Sequence, residues 1–262
     1  GVLNRVLGLD EKERERGVVT VSAGNHGQAL AWGARSAGVD AVVVMPDSAP
    51  KTKIEASREY GAEVLLHGDV FDAFDRAMEL THQEGYTFVH PFDEPEIVAG
   101  QGTVGLELLE NLTSVDAVAV PVGGGGLLAG IAVAVKEQRS DVRVFGVEPE
   151  GADSMRRSLN VGEPVHLDEV DTIADGLGSP MAGELTYRLT RDHVDDVVLV
   201  SDDEIATGVR ELLRWSKLLA EPAGAAGLAA LLAGRLPVSD GASVAAVISG
   251  GNVDLSDVRN MI

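Results

Sequence analysis

The sequence predicts an α/β protein made of two open, twisted, parallel-sheet domains with a ligand cleft between them. Short apolar runs bounded by turn residues alternate with helically spaced segments from Gly17 to about residue 94, and again from Ala117 onward. The core material is Ala, Val and Leu: 45% of residues are hydrophobic but only 4% aromatic, which suits parallel strands covered by helices on both faces. Three glycine-containing loops follow strand ends, where open α/β sheets meet their ligands. At 262 residues the chain has ample material for such a core.

The elements follow in order. Leu3, Val6 and Leu7 share one helical face before the charged run Asp10 to Arg16. That helix has no cap or beginning, which predicts residues upstream of Gly1. Val18 to Val21 reads as a strand that breaks into Ser22-Ala23-Gly24-Asn25-His26-Gly27, and a helix with Leu30, Gly33, Ala34 and Ala37 at helical spacing stops at Gly38. Ala41 to Met45 and Glu63 to Leu66 read as strands flanking a helix from Lys51 to Tyr60. Phe71, Phe74 and Met78 mark one face of the next helix, Thr87 to Val89 reads as a strand, and Pro95 to Asn111 as a longer helix. Beyond it come strands at Ala117 to Val120 and Arg143 to Val147, an irregular stretch from Gly151 to Pro180, and a helix from Asp202 to Ala220. Pro222 is well placed to open another helix, and Ser243 to Ile248 is the last strand. The domains expected are a small one over residues 17–94 and a large one from residues 1–16 with 95–262, its N-terminal part missing.

The stretch Ala117 to Val135 carries no charge and contains Gly123-Gly124-Gly125-Gly126. Its length suits a membrane helix, but Pro121 and four glycines would break one. It reads instead as strand, turn and helix. Four consecutive glycines imply that something approaches the backbone closely. A tight turn into a helix leaves N–H groups unpaired at the positive end of the helix dipole, a geometry that binds an anion, most often phosphate. Gly124-x-Gly126-x-x-Ala129, with Glu148 ending the next strand, also matches the dinucleotide fingerprint with its ribose-binding acid, so an NAD(P)-binding oxidoreductase is the rival reading.

Composition narrows the partners. With 21 basic and 42 acidic residues the net charge is −21, which repels nucleic acid and anionic lipid. Five of the 21 basic residues are lysine, and the acidic excess suits a salt-rich, halophilic cytoplasm. There is no cysteine, hence no disulfide or thiolate metal site. The six histidines never fall into a metal-ligand spacing, and no signal peptide is visible, so a cytoplasmic location is expected.

Five motifs in order, Ser22-Ala23-Gly24-Asn25-His26-Gly27-Gln28, Pro121-Val122 with the tetrad and Leu127, Thr172-Ile173-Ala174-Asp175-Gly176, Glu221-Pro222-Ala223-Gly224 and Ser249-Gly250-Gly251-Asn252, resemble the threonine dehydratase and serine racemase group of fold-type-II pyridoxal-phosphate enzymes. The resemblance covers essentially the whole chain. It implies a tryptophan-synthase-β-like fold with pyridoxal 5'-phosphate in the cleft, a small amino acid as substrate, and allows a homo-oligomer. It places the cofactor phosphate on Gly123, Gly124, Gly125, Gly126 and the amide of Leu127, Asn25 on the phenolic oxygen, and the Ser249 hydroxyl on the pyridine nitrogen. Ser22, Asn25 and His26 would hold the substrate carboxylate at a helix N-terminus. Glu221 would stand behind the ring, or simply start a helix. The metal loop of the group falls on Glu148, the Ala152 carbonyl and Ser154. Ser154 stands where an acid is expected, which weakens a Mg²⁺ or Ca²⁺ site.

Two departures choose the member. Ala23 stands where racemases of the group carry a serine acid/base, and His90-Pro91-Phe92-Asp93 is more like the threonine dehydratases. The Schiff-base lysine of the group precedes a stretch resembling Gly1-Val2-Leu3-Asn4, so it is expected three residues before Gly1. Lys12, Lys51, Lys53, Lys136 and Lys217 read as surface residues. The expected reaction is dehydration of L-threonine to 2-oxobutanoate and ammonia, with L-serine giving pyruvate. A chain without that lysine would instead be a non-catalytic amino-acid or cofactor-binding module.

Overall fold

A computed structural model describes residues 1–261, in two compact units, Gly1–Gly100 and Gln101–Ile262. In the first, β1 (Val18–Val21), β2 (Ala41–Met45), β3 (Glu63–Leu66) and β4 (Thr87–Phe88) form a parallel sheet in the order β3-β2-β1-β4. Helices α3 (Asn25–Ala37), α4 (Lys51–Glu59) and α5 (Val70–Glu79) link the strands. Alternate strand residues serve two layers: Val18, Val43, Met45 and Val64 pack with Leu30, Ala34 and Ile54, while Val19, Val42 and Val44 pack with Ala73, Ala77 and Leu80. Both sheet faces are therefore buried, which is why these strands read as unbroken apolar runs.

The N-terminal helices α1 (Val2–Leu7) and α2 (Glu11–Arg16) depart from the expected division. Residues 1–16 were expected with the large domain, but Val2, Val6 and Leu9 join the core of the first unit. The charged run is itself helical: Asp10 accepts the N–H of Glu13, and Glu13 accepts the N–H of Asp10 in return. On α5 the buried face is Ala73 and Ala77, not Phe71, Phe74 and Met78. Small residues let the helix approach the sheet, and Phe74 stays at the margin, edge-on to Phe88 at 5.9 Å.

In the second unit β5 (Ala117–Pro121), β6 (Arg143–Pro149), β7 (Asp196–Val200) and β8 (Val244–Ala246) form a parallel sheet in the order β7-β6-β5-β8. Helix α7 (Gly126–Gln138) covers Val118, Val120, Val144 and Val197. On the other face α11 (Pro222–Leu232) covers Ala117, Ala119, Phe145 and Val147. The long helix α6 (Pro95–Asn111) contains the division between units.

Helix α8 (Ser154–Val161) forms within the stretch expected to be irregular, and α9 (Glu184–His193) and β7 stand where no element was expected. The buried faces of α8 and α9 are Ser154, Met155 and Ser158, and Thr186, Tyr187 and Thr190, too polar to make an apolar stripe. The helix expected from Asp202 to Ala220 is α10 (Asp202–Glu211), which widens into a π-helical turn over Leu212–Ser216 and stops at Lys217, in the left-handed region at φ 58°. The last strand covers only Val244–Ala246, and α12 (Leu255–Met261) follows the final loop.

Both sheets switch direction once. From β1 the chain builds outward to β2 and β3, then returns to place β4 on the other side of β1; β5, β6, β7 and β8 repeat the pattern. Such switch points open a crevice at the carboxyl ends of the two strands concerned. The loops after β1 and β4, and after β5 and β8, occupy those positions.

Candidate active site

In the second unit β5 ends at Pro121 and the glycine tetrad turns into α7. Gly125 is the N-cap, at φ 93°, where an L side chain is strained; a Cβ there would lie 2.6 Å from Met155 Cε and 3.0 Å from Thr186. A glycine N-cap brings no side-chain acceptor, and the N–H groups of Gly126, Leu127 and Leu128 find none elsewhere among the described residues. These amides sit at the positive end of a 13-residue helix. An anion such as a phosphate fits that donor set.

Glycines pack the neighbouring turns onto this one. A Cβ on Gly123 would meet Leu177 Cα at 3.2 Å and the Gly176 carbonyl oxygen at 3.3 Å, and one on Gly176 would meet Ala223 Cβ at 2.9 Å. A Cβ on Gly224 would lie 2.8 Å from Gly250 N and closer still to its carbonyl oxygen. Glu221 N–H donates to the Gly250 carbonyl at 3.1 Å. Four of the five sequence motifs therefore meet backbone to backbone in one place. The 174–176 turn is held from the side by Asp202, whose carboxylate accepts from the Thr172 hydroxyl at 2.7 Å and Ile173 N–H at 3.0 Å. Ser249, exposed, follows β8 beside the tetrad's own strand. Glu221 is the N-cap of α11 and buried, and its carboxylate makes no capping bond. Its place at the positive end of α11 is where a helix-starting acid is favoured.

Sequence reasoning missed the residues behind the tetrad. Thr186, fully buried on α9, donates to the Gly124 carbonyl at 2.7 Å. No local pattern could reveal a partner 62 residues away.

In the first unit the loop after β1 leads into α3, whose N-cap, Gly24, also lacks a side-chain acceptor. The Ser22 hydroxyl accepts Gly24 N–H at 3.1 Å and shapes the turn. The imidazole of His26 turns inward: Nε2 lies 3.1 Å from Thr20 Oγ1 and 3.3 Å from the Val89 carbonyl. Thr20 Oγ1 gives its own proton to that carbonyl at 2.8 Å, so Nε2 of His26 is the donor. Burial pushes the His26 pKa down to about 4, and the ring is neutral. His26 thus ties the loop after β1 to the loop after β4, leaving its backbone amide, rather than a charge, for an anion. In that second loop Nδ1 of His90 accepts N–H bonds from Phe92 at 3.2 Å and Asp93 at 2.9 Å, which fixes the turn His90-Pro91-Phe92-Asp93.

Other expectations change. Both oxygens of Glu148 accept backbone N–H groups at the start of α8, from Met155 and Arg156, each at 2.8 Å. The side chain is fully buried and desolvation raises its pKa to about 8. It is therefore closed to a ribose, which removes the acid that the dinucleotide reading needs. The Mg²⁺ or Ca²⁺ site at Glu148, Ala152 and Ser154 also finds no support: Ala152 and Ser154 are buried, and no group of three metal-ligating side chains occurs among the described residues. Lys53, expected at the surface, is buried. Among the described residues no helix is long and apolar enough to cross a membrane.

Residues 1–250 match the family model described as pyridoxal-phosphate dependent enzyme. The whole chain is 45% identical to the L-threonine ammonia-lyase of Thermotoga maritima and spans 65% of that relative's length. Among solved structures, the processed threonine deaminase isoform 2 of Solanum lycopersicum has a TM-score of 0.94 at 36% identity, covering 99% of this chain and 76% of that one. Maize serine racemase has the same TM-score and identity, covering 99% of this chain and 80% of its own. With the glycine turns and the helix-terminal amides that such a cofactor needs, the chain belongs to the pyridoxal-phosphate-dependent enzymes.

Proposed function

We propose that the protein to which this chain belongs is a threonine/serine ammonia-lyase, converting L-threonine to 2-oxobutanoate and ammonia and L-serine to pyruvate and ammonia. The observation that carries this reading is the tetrad at the start of α7, with the turns at Gly176, Gly224 and Gly250 packed onto it. The amides of that helix start hold the cofactor phosphate, with Gly123 to Gly126 giving it room. Bound pyridoxal phosphate supplies the electron sink for the charge left when the substrate loses its Cα proton. The Ser249 hydroxyl meets the pyridine nitrogen and leaves it neutral, which suits rapid loss of a β-hydroxyl. Asn25 donates to the phenolic oxygen. Ser22 and the first amides of α3 hold the substrate carboxylate, with His26 neutral beneath them. The proton acceptor is the lysine that the Gly1-Val2-Leu3-Asn4 motif assigns to a position before Gly1. Ala23 has no proton to exchange on the opposite side of Cα, which favours elimination over racemisation. The β-hydroxyl leaves as water, and hydrolysis releases ammonia and the 2-oxoacid.

The setting we assign is a salt-rich cytoplasm, on the strength of the net charge of −21. The full-length protein is expected to show an absorption band near the edge of the visible that borohydride quenches, and to form 2-oxobutanoate from L-threonine. A protein with no such band and no 2-oxoacid product would refute the reading.

A further inference from the structure

We propose that Thr186 is a positioning residue that holds the tetrad in its phosphate-accepting form, an inference that rests on reading the tetrad as the phosphate seat. The Gly183 N–H donates to Thr186 Oγ1 at 3.1 Å. The single hydroxyl proton is then free for the Gly124 carbonyl at 2.7 Å, in preference to the Gly183 carbonyl at 3.2 Å. Gly183 N also lies 3.4 Å from the Gly124 oxygen. The Gly124 carbonyl is thus drawn into the α9 side, where Thr186 is fully buried.

The peptide geometry converts this into a function. No described peptide bond is cis, so the N–H of Gly125 points opposite to the carbonyl of Gly124. Fixing one toward Thr186 aims the other away from α9. A peptide between two glycines turns over at little steric cost. A turned-over peptide would present a carbonyl oxygen where an anion needs a donor. Thr186 blocks that inversion, and its side chain lies within 3.0 Å of where a Gly125 Cβ would stand.

The test uses the full-length protein as Thr186→Val, Thr186→Ser and Thr190→Val variants, titrated separately with pyridoxal phosphate and with pyridoxal. Thr190 is a matched control: it is buried one turn further along α9, and its hydroxyl has no partner among the described residues. Thr186→Val is expected to weaken pyridoxal phosphate binding by about tenfold, the worth of one buried hydrogen bond, and to leave pyridoxal binding unchanged. Thr186→Ser and Thr190→Val should keep the wild-type preference for the phosphorylated form. A valine variant that keeps this preference overturns the proposal, as does one that loses both ligands equally. A wild type that does not distinguish the two ligands overturns the phosphate seat itself. Should the valine variant not fold, inorganic phosphate added to the wild type decides: the Gly125 amide resonance must move, and an unmoved one refutes the proposal.

Discussion

Replacing Gly224 by alanine sets two effects of known size against each other. Gly224 lies inside α11, where alanine is favoured over glycine by about 1 kcal/mol of helix propensity. By propensity alone Gly224→Ala stabilises. Its new Cβ, however, would stand 2.8 Å from Gly250 N and nearer to the Gly250 oxygen, both backbone atoms that cannot rotate away. Relief requires the 249–252 loop to move off the helix and loses the Glu221 N–H bond to Gly250. Overpacking of this kind costs about 1–3 kcal/mol, and the lost hydrogen bond about 1 kcal/mol more. The net is a destabilisation of about 1–3 kcal/mol, a fall in thermal midpoint of roughly 2–12 °C for a chain of this size. Because Ser249 precedes the displaced residue, cofactor affinity should fall as well. Gly8→Ala, where the nearest atoms stand at 3.5 and 3.6 Å, is the control and should be nearly neutral. Thermal unfolding and absorbance titration with pyridoxal phosphate read both effects. A Gly224→Ala protein with a raised midpoint and unchanged affinity would refute the packing of these turns.

Further outcomes follow from particular residues. Lys217 sits at φ 58°, which costs a non-glycine residue about 1–2 kcal/mol, so Lys217→Gly should raise stability by about 0.5–1 kcal/mol after the entropy of glycine is subtracted; a lowered midpoint would contradict this. Burial lowers the His26 pKa from 6.5 to about 4, so the unfolded chain takes up the proton first. Its contribution is therefore full above pH 6.5 and drains away as pH falls toward 4. His26→Gln keeps a donor for Thr20 and Val89 and should flatten that loss in urea unfolding measured across the window, whereas an unchanged slope would place the imidazole in solvent. With a net charge of −21, the thermal midpoint should climb markedly with added KCl, and a flat response would remove the salt-adapted reading.

How legible the molecule was depends on what each element buries. The strands β1, β2 and β3 carry Val, Met and Leu between turn residues, and α6 opens at a proline, so their limits lie open in the chain. Helices α8 and α9 bury serines and threonines, whose value lies in hydrogen bonds to distant backbone, and periodicity is silent about that. Strand β7 did carry a signal in Val197 to Val200, where no strand was expected. The helix expected to reach Ala220 overran α10, because apolar spacing runs on through Leu218 and Leu219, both exposed, past a π-helical turn that spacing does not mark. At the site, the glycine loops were visible because close backbone approach demands glycine. Thr186 was not, for a lone threonine has no signature until its partner is known. Glu148 matched two ligand motifs, and the fold used it to cap α8.

The most direct test is a crystal structure of the full-length protein with pyridoxal phosphate bound. The phosphate is predicted to accept hydrogen bonds from the amides at the start of α7, from Gly125 through Leu127. Density for that phosphate at any other place, the start of α3 included, would contradict the account.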